Sequence, residues 1–184
     1  MNKRNTFFIA LTSTILVTLP TTVLAHITLI DKHAIAGDTI KNALQIGHGC
    51  TTPNGRQLPT KKVIMLVPDG ITQVSAFAKP GWNIKMKKGP ITPYESRGTM
   101  ITEGVVKIIW RADKPRHRLA FDLRDEFYFR AKMPKKAAQS IYFPATQVCN
   151  KNNKVEWIEI PMNDQEPSDL DNPAPRLVTT PSGL

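Results

Sequence analysis

Apolar and polar residues alternate with a period of two along most of this chain, and no stretch sustains a helical period. Ile27-Thr28-Leu29-Ile30 predicts a short first strand, and residues 39–46 predict a second that runs into Gly47-His48-Gly49-Cys50. Thr52-Pro53-Asn54-Gly55 is a turn signal. Residues 61–67 predict a buried strand stopped by Pro68-Asp69-Gly70, and residues 71–78 another. In residues 82–87 the alternation puts Trp82, Ile84 and Met86 on one face, and residues 105–110 repeat the pattern. Across residues 118–130, Leu119, Phe121 and Leu123, then Phe127, Phe129 and Ala131, take alternate positions, which sends Glu126, Tyr128 and Arg130 to the opposite face. Residues 140–148 and 154–160 complete the set around an Asn150-Lys151-Asn152-Asn153 hairpin turn. Eight or nine short strands separated by Pro, Gly and Asn turns predict an all-β, antiparallel sandwich. From Asp164 onward Asp, Glu, Pro and Ser dominate, so residues 164–184 read as a tail, lying on the domain or disordered.

The start of the chain breaks the pattern. Lys3 and Arg4 precede a mostly apolar run over residues 7–19, and Val23 and Ala25 are the small residues that signal peptidase needs. Residues 1–25 therefore read as a secretion signal. The competing reading, a membrane anchor, needs about 20 mainly apolar residues, and Pro20-Thr21-Thr22 cuts the run short. Cleavage after Ala25 makes His26 the first residue of a domain spanning 26–163. An N-terminal histidine can offer one metal ion both its α-amine and its imidazole Nδ1, a chelate that an internal histidine cannot form.

Charge and cysteines narrow the function. The formal charge of +10 becomes +8 once Lys3 and Arg4 are removed. A balance that basic raises nucleic acid as a partner, but export argues against it. The pairs Lys61-Lys62, Lys87-Lys88 and Lys135-Lys136 are scattered, with no aromatic-interleaved binding motif, and read as solvated turns or weak attraction to anionic lipid or a partner. The two cysteines, Cys50 and Cys149, predict a disulfide in an oxidising compartment. For a loop of ~100 residues the chain-entropy contribution is roughly 4.7 kcal/mol, a large share of a typical ~5–15 kcal/mol stability.

The four histidines are His26, His33, His48 and His117, and no pair has the spacing of a preformed zinc motif. His33 and His117 read as surface residues, and His48 as a loop residue near the disulfide or an accessory ligand. A metal on His26 needs a further donor, and Asp125-Glu126 offers a carboxylate beside Phe127 and Phe129; the alternative is a solvated edge position. Trp82, Trp110 and Trp157 read as core aromatics, one of which could shield a metal from water.

The ordered series Ala25-His26-Ile27-Thr28, His48-Gly49-Cys50, Val67-Pro68-Asp69-Gly70, Lys79-Pro80-Gly81-Trp82, Ile109-Trp110, Asp125-Glu126-Phe127, Tyr142-Phe143-Pro144, Gln147-Val148-Cys149 and Glu156-Trp157-Ile158-Glu159-Ile160-Pro161 resembles the YcnI-like copper-binding domain family, from His26 to about Pro175. The resemblance implies an immunoglobulin- or cupredoxin-like β-sandwich. It also implies copper(II) held by the amine and imidazole of His26 plus a carboxylate, which maps to Glu126, with Trp157 close to the metal. A nitrogen-rich tetragonal site suits copper(II), which tops the Irving–Williams order. The partners expected are a copper ion and a membrane copper transporter or another copper chaperone, with no nucleic acid. Some relatives carry a C-terminal anchor, and residues 173–184 offer no such run, so the expectation is a free periplasmic or extracellular protein.

Three functions compete at this point. One is an exported, non-enzymatic copper(II) chaperone, scavenger or sensor. Another is a copper oxygenase of the histidine-brace type, which would need His33, His48 or His117 as a second imidazole. The third is a metal-free β-sandwich interaction domain.

Overall fold

The computed structural model describes residues 26–182, so the signal reading of residues 1–25 lies outside the described residues. The strands are β1 (Thr28–Leu29), β2 (His33–Ile35), β3 (Thr39–Ile46), β4 (Cys50–Thr51), β5 (Gln57–Leu58), β6 (Lys62–Leu66) and β7 (Thr72–Ala76). They continue with β8 (Trp82–Ser96), β9 (Thr99–Ala112), β10 (Asp125–Lys132), β11 (Ser140–Tyr142), β12 (Ala145–Val148), β13 (Lys154–Trp157) and β14 (Arg176–Thr180). Among the described residues there is no α-helix, only 3-10 turns at Pro115–His117 and Pro167–Asp169.

Two sheets carry the core. One runs β1-β3-β10-β7 and the other β13-β12-β6-β9-β8, with all pairs antiparallel. The period-two pattern explains how they face each other. Leu29, Leu44 and Phe127 form one cross-strand row of the first sheet and are buried, while Val63 and Trp110 pair in the second and are fully buried. The sheets meet edge to face: Trp82 and Trp110 approach the Phe127 ring at 4.9 and 5.7 Å. Each such aromatic contributes about 1.5–3 kcal/mol by leaving water, so this cluster fixes how the sheets stack.

Three parts of the chain depart from the alternation as read. Residues 88–104 carry Gly89, Pro90, Pro93 and Gly104, yet β8 and β9 run through them as one long hairpin. Its two-residue turn, Arg97-Gly98, has φ of 51° and 77°, the left-handed pair that matches strand twist. The glycines and prolines appear as register shifts between Lys87 and Lys88 and between Pro90 and Tyr94. Residues 118–124 are not strand: Leu119 makes an isolated bridge to Thr60, Leu123 is exposed, and β10 begins only at Asp125.

The third departure corrects the boundary at residue 163. Within the segment read as a tail, β14 is the central strand of a small sheet, antiparallel to β11 and parallel to β2. Leu177 and Thr179 are buried, and the Thr179 hydroxyl donates to the Lys136 carbonyl while accepting from the Gln139 amide. The acidic, proline-rich composition of residues 164–173 masked the short alternating run behind it.

Candidate functional site

Two regions hold the residues singled out above. The first is the corner around Cys50 and Cys149, which are bonded, with Cα atoms 6.0 Å apart. Gly49 lies so close to β5 that a Cβ there would meet the Leu58 carbonyl oxygen at 2.1 Å, so only glycine fits. Buried Gln147 donates to the His48 carbonyl and to the Thr60 hydroxyl, both at 2.6 Å. The His48 ring packs against Phe121, 5.4 Å between centroids. His48 is thus part of the disulfide corner, and the His48-Gly49-Cys50 motif serves close packing.

The second region is the edge where the described chain begins. β1 holds residue 28 against Gln45 and residue 29 against Leu44, and buried Ile27 anchors the step before them. That places the half-buried His26 ring 5.2 Å from the Trp157 ring, tilted by 55°. Trp157 closes β13 opposite Ala145 and is buried; its Nε1–H has no hydrogen-bond partner among the described residues. An unpaired buried donor costs about 1–3 kcal/mol.

His26 lines a cleft of about 340 Å³ with Lys32, His33, Pro173, Pro175 and Arg176. His33 heads β2 and stands level with Val178 of β14, so the supposed tail builds one wall of this cleft. His33 was read as a surface residue; it is exposed, but it shares the cleft with His26. No local signal could have revealed this, because the parallel β2–β14 pairing joins residues about 145 positions apart.

Glu126 lies elsewhere. On the outer face of the first sheet, Thr28, Gln45 and Glu126 form one cross-strand row, which puts Glu126 two strands from β1, about 10 Å at the usual strand spacing. Its carboxylate accepts the Tyr128 hydroxyl, which raises that phenol's pKa above its ordinary value. The surrounding cleft, about 360 Å³, is bounded by Gln45, Lys79, Pro80 and Arg124 and shares no residue with that of His26. Neighbouring Asp125 is engaged by Lys79, whose ammonium sits 2.6 Å from Oδ1, donates to the Glu126 carbonyl and lies over the Phe127 ring. The structure therefore brings His26 and Trp157 together and leaves Glu126 apart from them. His117 is elsewhere again, paired with Asp113 and packed against Gly81.

The donor set at the edge can be tested against a metal. Among the described residues no three His, Cys, Asp or Glu side chains converge as a metal-binding group. A metal held there must draw on a further donor, and a free α-amine on residue 26 is the one that the chain itself could supply. The aromatic face of Trp157 suits a cation alongside the imidazole. Lys32 and Arg176 on the cleft wall disfavour an uncompensated dication, which argues for an anionic additional ligand.

The architecture defines an immunoglobulin-like β-sandwich, a class shared with the crystal structure of an uncharacterized protein from Nocardia farcinica described as having an immunoglobulin-like fold. The two align with a TM-score of 0.62 at 20% identity, covering 84% of this chain and 98% of the other. Residues 26–179 match the family described as Domain of unknown function (DUF1775), so the chain belongs to that family, which also contains YcnI. No curated protein matches the chain.

Proposed function

We propose that this is an exported copper(II)-binding protein of envelope copper handling, a chaperone, scavenger or sensor and not an enzyme. In this reading His26 becomes the first residue after signal cleavage and holds copper through its amine and imidazole. The carboxylate mapped to Glu126 stands two strands away in a separate cleft, so an anion from outside the edge completes the site, and Trp157 shields the metal. One observation carries the reading: the His26 ring packs against buried Trp157, at the residue where the family match also begins. A mobile terminal histidine would lose that order, whereas β1 and Ile27 hold this one in place. The Cys50–Cys149 bond is compatible with an oxidising compartment. Among the described residues no helix is long and apolar enough to cross a membrane.

The test joins the cut to the site. Mass spectrometry of the exported protein is expected to give a chain starting at His26, and that chain is expected to take up one copper(II). A form with one extra residue ahead of His26 should lose tight binding while keeping its fold. Equal binding by both forms would end the amine reading. His26→Ala should remove tight binding, whereas Glu126→Gln should leave it close to the parent, because Glu126 lies in a separate cleft.

The presence of His33 in the His26 cleft favours one second reading, in which its imidazole completes a two-histidine brace and the protein is a copper oxygenase. Copper titration of His33→Ala separates the two readings, with Glu126→Gln as the control outside the cleft. Weakening by His33→Ala alone, with copper-dependent oxygen consumption by the parent protein, selects the oxygenase. Absence of copper binding in the cleaved chain would leave the metal-free interaction domain.

A further inference from the structure

The outer face of the five-stranded sheet has a composition that neither the copper reading nor the fold requires. The register places Lys62, Lys85, Lys87, Lys107, Arg111 and Lys154 on this face, with Glu156 as the one carboxylate among them. Lys62 stands directly opposite Arg111, and Lys87 directly opposite Lys107. Like charges paired across strands destabilise a sheet, so the arrangement works against folding. Burial, followed by the nearby Arg111 and Lys61, pulls the Lys62 ammonium below its ordinary pKa. Only Lys154 has an acidic partner on the face, Glu156 at 2.6 Å.

The outer face of the four-stranded sheet provides a contrast. It carries Lys41, Arg130 and Lys132, and Lys41 also stands directly opposite Arg130, but Lys41 lies over the Phe77 and Tyr128 rings and Arg130 donates to the Gln73 carbonyl. Two of its three cations have local partners, Lys41 and Arg130, whereas on the five-stranded face only Lys154 of the six has an acidic one.

Aliphatic residues interrupt the basic face. Leu66 is 40% exposed and Ile158, just past β13, is 48% exposed; Ile160 and Met162 follow at alternate positions and are also exposed. Together with Lys62, Lys107 and Lys154, Leu66 and Ile158 border a shallow depression of about 490 Å³.

We infer that this face docks on the surface of an anionic phospholipid bilayer, with its lysines over the headgroups and Leu66 and Ile158 entering the interface. Charge complementarity and shape favour a bilayer over an acidic protein. The cations lie on four of the five strands, both outer ones included, about 19 Å apart, so an extended anionic surface meets more of them than a compact partner would. Protein interface centres favour Trp, Tyr and Arg and are depleted of Lys. Here five of the six cations are lysine, and no aromatic side chain occupies the face's register positions. Basic side chains with protruding aliphatics are the pattern of interfacial binding. The inference is independent of the copper reading.

The test uses the whole chain from His26 and sedimentation with vesicles. Binding is expected to phosphatidylcholine vesicles containing phosphatidylglycerol, to be negligible on phosphatidylcholine alone, and to fall as salt is raised. Lys62→Glu with Lys107→Glu should lower the partition coefficient at least about tenfold. Arg130→Glu with Lys132→Glu, which has the same net charge, should lower it far less. Leu66→Ser with Ile158→Ser should remove the part of binding that survives high salt. All six substituted positions are at the surface or partly so, and thermal unfolding of each variant verifies its fold. Equal losses from the two charge-reversal variants would reduce the effect to net charge and overturn the proposal. So would absence of binding to the anionic vesicles, the outcome expected if the face serves an acidic protein.

Discussion

The disulfide corner and the His26 edge use similar materials to opposite ends. At the corner a histidine, a glutamine and a threonine surround a covalent bond, and the buried Gln147 amide has two acceptors in reach. At the edge a histidine leans on a tryptophan whose buried N–H has no partner among the described residues, beside an open cleft. The corner is satisfied and closed, and its residues are explained by stability. The indole N–H of core Trp110 is unpaired too, so what sets the edge apart is the imidazole held against Trp157 beside an open cleft, and this marks it as the place to look for a ligand.

Breaking each region should therefore fail in a different way. The largest effect is expected from replacing both cysteines with alanine. The bond joins residues 99 apart, so its loss should cost roughly 4.7 kcal/mol, read from urea unfolding, while whatever remains folded should bind copper(II) as the parent does. A loss of copper stoichiometry in the folded fraction would show that corner and edge are coupled.

Trp157→Ala comes next. Removing a buried tryptophan should cost about 3–5 kcal/mol and unseat His26, so stability and copper uptake should fall together. Trp157→Phe sharpens the comparison: it keeps an aromatic beside His26, deletes the unpaired N–H, and should leave copper affinity closer to the parent than Trp157→Ala does. A phenylalanine variant as weak in copper binding as the alanine variant would assign the indole nitrogen a direct role.

Gln147→Ala should cost about 1–3 kcal/mol, because the His48 carbonyl and Thr60 hydroxyl lose their donor. Copper binding should not change, whereas His26→Ala should produce the reverse pattern, with stability within about 0.5 kcal/mol and tight binding gone.

The smallest effect concerns a contact belonging to neither region. Asp69 accepts from the Thr92 amide and hydroxyl, which fastens the long hairpin, and these bonds hold its carboxyl below the ordinary value. A depressed folded-state pKa means that the contribution is present above the unfolded value of about 3.9 and is lost as pH falls through the folded one. Asp69→Asn should flatten that acid-side loss in thermal scans between neutral and acid pH, leaving copper binding at neutral pH unchanged.

Much of this molecule was legible in the order of its residues. Alternation alone identified the strand character of β3, β6, β10 and β13, because a side chain's direction in a strand depends only on whether its position is odd or even. Phe127 and Phe129 are buried, and Glu126 and Tyr128 lie on the other face of β10, as that parity requires. Cysteine count was enough for the disulfide, since two cysteines allow one intramolecular pairing. Family motifs directed attention to His26 and Trp157, which do meet.

What the sequence could not determine were the relations that depend on which strands become neighbours. Parity put Glu126 on an exposed face but could not say that β3 would come between it and β1. Composition marked residues 164–184 as a tail, yet Leu177 is buried because β14 is sandwiched between β2 and β11. The basic face was hidden for the same reason, since its lysines are scattered along the chain and are gathered only by the pairing of β6, β8, β9, β12 and β13. Local pattern fixes the side to which each residue points, whereas long-range pairing, driven by burial of the shared apolar rows, decides what it meets there.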